Sequence, residues 1–154
     1  MTIVAATQGS VTITGVIGNT LMYSLRIPAG SMGRNGHIEV KMLWSMTSSA
    51  NNKQALGGFN TAVGVGGLTV PSSTWGAVAG AQSMWVIRNN NATNAQITYG
   101  QIPATSPFGS GTLALSTGAI DTTQDTYVNI FGNSAGAGEV LTLVHAYAVV
   151  FPTP

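Results

Sequence analysis

Three side chains near the C-terminal end have the types of a hydrolytic triad: Ser134, Glu139 and His145. Ser134 sits in Gly132-Asn133-Ser134-Ala135-Gly136, which matches G-x-S-x-G. That pattern serves nucleophilic catalysis when a sharp strand-to-helix turn exposes the serine above a helix N-terminus. Here β-favouring runs lie on both sides, with Gly136-Ala137-Gly138 between them. A triad also draws its members from separate loops, whereas these three are close neighbours in sequence. A hairpin turn is therefore expected, and no catalytic residue is assigned.

The other candidates fail on spacing or context. His37 and His145 are the only histidines, and neither has the E-x-x-H or H-x-H partner of a metal site. His37 is expected on a solvated strand face, His145 in a buried or interfacial hydrogen bond. Asp121 and Asp125 flank Thr122-Thr123-Gln124. Paired carboxylates suit glycoside hydrolysis or calcium, but two acids in one turn without further acids read as loop caps. Gly64-Val65-Gly66-Gly67 is no G-x-G-x-x-G, so no phosphate cradle is expected. Asn91-Ala92-Thr93 is a formal glycosylation sequon of a kind that short chains contain by chance. Trp44 and Trp85 fall on the apolar phase of strands and are assigned to the core. Trp75, in an apparent loop, is the one tryptophan assigned to a ligand or partner contact. No cofactor and no metal are expected.

Composition narrows the classes further. In 154 residues there is no cysteine, which removes disulfides, thiol nucleophiles and Cys-based metal sites. Charged residues make up 6% of the chain, against about 25% in ordinary globular proteins. The longest apolar stretch, Val140 to Phe151, is interrupted by Thr142, His145 and Tyr147, and a spanning helix needs about 20 apolar residues. No membrane insertion is expected. The N-terminus lacks the basic and apolar regions of a signal peptide. A formal net charge of +1 gives no electrostatic reason to expect nucleic acid. A polar surface with little charge is weakly self-repelling, which favours contact between copies.

The elements that position these residues read as strands. Twenty glycines and six prolines punctuate short β-favouring runs, the pattern of a sandwich or barrel. In His37 to Met46, the residues Ile38, Val40, Met42, Trp44 and Met46 form one stripe only with a period of two. Val11 and Ile13 alternate similarly, as do Leu21, Tyr23, Leu25 and Ile27. Lys53 to Phe59, Trp85 to Arg88, Gln96 to Ile102, Leu113 to Ser116 and Tyr127 to Phe131 complete the inventory before the last strand. The expectation is an all-β, antiparallel, jelly-roll-like β-sandwich of about 8 to 10 strands, with residues 1–154 as one domain. Asn35-Gly36 is expected in a tight turn with positive φ. Gly57 to Gly80 is expected to be a long irregular connection between the two halves.

The last run is apolar on both faces. Leu141, Leu143, Tyr147, Val149 and Phe151 share one with His145, and Val140, Val144, Ala146, Ala148 and Val150 the other. A strand with one solvated face should not read this way. Either the run lies mid-sandwich under a covering loop, or its outer face packs against a neighbouring subunit. The second is expected, with Val144, Ala146, Ala148 and Val150 at the contact and Trp75 as a separate candidate.

Leu25 to Gly36, continuing through Ile38-Glu39-Val40, Leu43-Trp44-Ser45-Met46-Thr47 and Ser49-Ala50-Asn51-Asn52-Lys53, resembles a segment recurrent in bacteriophage virion proteins. Val86-Ile87-Arg88-Asn89-Asn90-Asn91 with Gln96, and Asp121 to Phe151, are similar to later parts of the same jelly-roll-like modules. The resemblance implies a structural protein, commonly trimeric, on the capsid surface or at a tail-fibre tip. Because heptads and triple-helical repeats are missing and strands begin almost at once, the head is the expected location. The expected role is a capsid decoration or cement protein binding the major capsid protein. The alternative is a receptor-binding fibre tip or small fibre recognising host glycans, and a free lectin-like domain is a third reading.

Overall fold

In a computed structural model that describes residues 2–101 and 115–153, eleven strands form two antiparallel sheets. They are β1 (Thr2–Ala6), β2 (Val11–Thr14), β3 (Thr20–Ile27), β4 (His37–Met46), β5 (Lys53–Asn60), β6 (Leu68–Trp75), β7 (Gly80–Asn89), β8 (Gln96–Gln101), β9 (Ser116–Gly118), β10 (Thr126–Ser134) and β11 (Val140–Phe151). The larger sheet runs β1-β11-β4-β7-β8-β9, with β2 pairing the other end of β11; the smaller runs β3-β10-β5-β6. The chain is an all-β, jelly-roll-like sandwich. Most of the alternation at Leu113 lies outside the described residues.

The clearest alternation in the sequence lies at the centre of the larger sheet. β4 pairs with β11 and β7, and all five residues of its apolar stripe are buried. Trp44 and Trp85 point into the core with Phe59, Val70, Val128 and Ile130 from the smaller sheet. Burying each large side chain contributes about 1.5–3 kcal/mol. Trp85 fits because β5 has a glycine beneath it: a Cβ on Gly57 would lie 2.8 Å from its ring.

Four β-bulges break the period of two, and each changes which residues point inward. In β3 the register skips Met22, so Met22 enters the core and Leu21 turns out. This corrects the expected inward placement of Leu21. In β6 an extra residue at Pro71-Ser72 moves the inward phase from Leu68 and Val70 to Ser73 and Trp75. The expected long connection from Gly57 to Gly80 therefore contains a whole edge strand, where a proline can be tolerated. β1 is bulged between Ile3 and Ala5, and β11 between Leu143 and His145.

The turn at Asn35-Gly36 also differs from expectation. Positive φ falls on Gly30 and Gly33, at 69° and 70°. Gly36 is there for room, since a side chain would collide with the carbonyl oxygens of Met32 and Phe151. Asn90 to Ala95 joins β7 to β8 as a hairpin, with Asn91 at φ 59°. A buried amide clamp closes this end of the sandwich. Asn89 Nδ2 donates to Gly33 O (2.6 Å) and Thr122 Oγ1 (2.8 Å), while Gln96 Nε2 donates to Asn89 Oδ1 (2.8 Å). Gln96 Oε1 accepts from Ile120 N at 2.7 Å, so both amides are satisfied without solvent.

Candidate functional site

The proposed subunit face on β11 is corrected by the bulge. Before it, Leu141 and Leu143 point into the core; after it, Ala146, Ala148 and Val150 do. One extra residue, Val144, lets both odd and even positions be apolar with little of either set exposed. Only Val144 of the four is exposed, at 37%. Trp75 is buried as well, its ring 5.5 Å from Trp44. Neither it nor the three inward residues of β11 offers a side chain to a partner.

Ser134 and Glu139 are structural. The expected hairpin is instead a crossing, because β10 belongs to the smaller sheet and β11 to the larger. The Ser134 hydroxyl accepts from Val16 N at 2.9 Å and is fully buried. Glu139 forms a buried ion pair with Lys53 (3.3 Å) and accepts from Ser49 Oγ (2.8 Å) and Asn51 Nδ2 (3.0 Å). Those two hydrogen bonds, more than the lysine, hold its carboxyl below the usual range. This pair escaped the sequence reading, although Lys53 shares its strand phase with inward Ala55 and Phe59.

The two loop aspartates are caps. Asp121 accepts from the Thr123 hydroxyl (2.6 Å), Thr123 N (3.0 Å) and Gln124 Nε2 (3.0 Å), which lower its pKa. Asp125 binds Arg26 at 2.6 Å and Ala29 N at 3.0 Å, with its pKa lowered mainly by the arginine hydrogen bond. Among the described residues, no three His, Asp or Glu side chains gather as a metal site. No helix in them is long and apolar enough to cross a membrane.

What remains open for function is the outside of each sheet. The larger sheet gathers His37, Glu39, Lys41, Arg88 and His145 on one face. Cross-strand register places Tyr147 beside Lys41 and Met84, and His145 beside Leu43 and Gln82. His37 stacks on Phe151 with ring centroids 4.4 Å apart, and Glu39 lies 3.4 Å from Lys41. Thr7 anchors the bulge of β11, accepting from Ala146 N and meeting His145 Nδ1, each at 3.1 Å.

The smaller sheet is different. Leu21, Phe131 and Leu56 make a cross-strand apolar row on its outside. Beside it, loop 61–67 is held by Asn129, which is fully buried. Its Nδ2 donates to Ala62 O (3.0 Å) and Val65 O (2.7 Å), and its Oδ1 accepts from Gly64 N (3.0 Å) and Ser24 Oγ (2.6 Å). Val63 and Val65 are left exposed at 56% and 49%.

Fold and surface together define a β-sandwich module. No family model matches the chain, and no curated protein does. Several solved structures are similar in outline. Arcelin-5, a lectin-like defence protein from Phaseolus vulgaris, is 10% identical with TM-score 0.40, covering 97% of this chain and 91% of its own. The Lotus tetragonolobus seed lectin is 7% identical with TM-score 0.37, covering 96% and 95%. Lectin I-B4 from Griffonia simplicifolia, in its metal-free form, is 6% identical with TM-score 0.38, covering 96% and 93%. At these identities and scores no residue role or activity carries across.

Proposed function

We propose that this chain is a structural virion protein that associates with copies of itself, as a trimer, and with the major capsid protein on a phage head. The observation that supports association is the outside of the smaller sheet. Leu21, Val63 and Val65 are exposed there, and Gly64 lies against Leu21, so these aliphatics form a neighbourhood. The charge on this face is Arg26, already tied to Asp125. Contiguous apolar surface with little charge around it favours protein contact over solvation. The virion and the capsid surface come from the sequence resemblance, and the trimer from the same source.

Electron microscopy of purified particles tests the location. Many copies spaced regularly over the head are expected; a few copies per particle, or copies confined to the tail, overturn it. The fibre-tip alternative loses its Trp75 contact to burial and keeps the Asn-rich loop, where Asn90 and Asn91 are exposed.

A further inference from the structure

Three strands of the larger sheet present two rows of three side chains outward: Tyr147, Lys41 and Met84, then His145, Leu43 and Gln82. Neighbouring strands lie about 4.8 Å apart and same-face residues about 7 Å apart along a strand. The six therefore cover roughly 10 Å by 7 Å, the footprint of one substituted pyranose. They line a groove of about 550 Å³.

The chemistry of the groove is one-sided. Leu43, Met84 and the Tyr147 ring offer apolar floor, which suits the C–H face of a sugar. The polar groups around them are mainly donors. Lys41 is half-exposed, with a single carboxylate beside it, Glu39 at 3.4 Å, and Glu39 is shared with His37 at 3.9 Å. No carboxylate lines the groove itself. His145 is oriented by Thr7: Ala146 N donates to the Thr7 hydroxyl, whose own proton is then available to His145 Nδ1. When the Thr7 hydroxyl donates to Nδ1, the neutral ring carries its proton on Nε2, another donor. The β11 bulge turns His145 onto this face while sending Ala146 inward, a usual role of bulges near sites.

We propose that this groove binds a carboxylate-bearing saccharide, with the ring over Tyr147 and Leu43 and the carboxylate between Lys41 and His145. Gln82 serves a ring hydroxyl through its amide. The proposal is independent of whether the protein sits on head or tail, and of its oligomeric state.

Titration of the isotopically labelled full chain by NMR tests it, with D-glucuronate, N-acetylneuraminate, D-glucose and inorganic phosphate as probes. At least one acidic sugar is expected to give saturable shifts centred on residues 41–43, 82–84 and 145–147. Lys41→Gln and His145→Phe are each expected to weaken it by about tenfold, the scale of a charge-assisted hydrogen bond. Both positions are exposed, so unchanged thermal unfolding shows that the variants fold. Equal binding of glucose overturns the carboxylate, and equal binding of phosphate overturns the saccharide. Absence of saturable shifts with both acidic sugars, or shifts elsewhere on the chain, overturns the site.

Discussion

The two outer faces of the sandwich are built on the same period-two principle and differ in charge. The larger sheet carries both histidines with Glu39, Lys41 and Arg88, interleaved with Tyr147, Tyr99 and Phe151. The smaller carries an aliphatic and aromatic row beside a pinned loop, and its one charge, Arg26, is neutralised by Asp125. Of the nine charged residues in the chain, Glu39, Lys41 and Arg88 stand on the larger face and Arg26 on the smaller. A face with donors and rings suits a small polar ligand, and a bare apolar face suits another protein surface. Local devices add to each: the β11 bulge turns His145 onto the larger face, the β3 bulge turns Leu21 onto the smaller, and Asn129 pins the loop beside it.

The strongest way to break this comparison is to attack the bulge. Ala148→Asp places a carboxylate in the sandwich core and is expected to cost about 4 kcal/mol or more, or to abolish folding. Val144→Asp, on the bulge itself and exposed, is expected to stay within about 0.5 kcal/mol. Urea unfolding of the two variants measures the contrast, and equal costs would mean that β11 is not re-phased. On the other face, Asn129→Ala removes all four hydrogen bonds of a buried amide. A loss of about 2–4 kcal/mol is expected, with new protease cleavage inside residues 61–67. Intact, protected 61–67 in that variant would show that the loop holds itself.

Acid sharpens the comparison more gently. Asp121, Asp125 and Glu139 all have pKa values lowered from ordinary values of 3.8, 3.8 and 4.5. A carboxylate with a lowered folded pKa stabilises the fold above its unfolded value and loses that contribution as pH falls through the folded one. Stability should be flat with respect to these groups above about pH 5 and decline below it. Asp125→Asn should reduce the slope, as read by thermal unfolding between neutral and acid pH. The smallest effect on folding is expected from Val63→Asp with Val65→Asp, within about 0.5 kcal/mol per site. If the proposed trimer uses this face, the same pair should convert it to monomer in sedimentation, and an unchanged oligomer would remove the smaller sheet from the assembly contact.

How far the sequence could be read depended on where the bulges fall. β4 has none in its own backbone, and its five apolar residues went where alternation put them. β6 is interrupted at Pro71-Ser72, and with its phase broken it looked like loop. β11 looked like a strand with two apolar faces because the bulge at Val144 splices two one-faced halves. Several residues that carry the phage resemblance, Gly33, Asn89 and Gln96 among them, meet in the amide clamp, so they report the architecture of one end of the sandwich. His145, Lys41 and Gln82 lie on three separate strands, and nothing in their spacing shows that register brings them into one groove.

By itself the sequence determined the class of fold, the inward stripe of β4, the core placement of Trp44 and Trp85, and the weak repulsion of a sparsely charged surface. Those follow from local alternation and composition, which each segment carries alone. Tertiary structure decided which way Leu21, Trp75 and Ala148 point, that Lys53 and Glu139 meet out of water, and that Glu39, Lys41 and Arg88 share one outer face. The physical reason is register. A bulge costs one residue locally, but it reverses the facing of everything beyond it, and only the paired strand fixes where that residue goes.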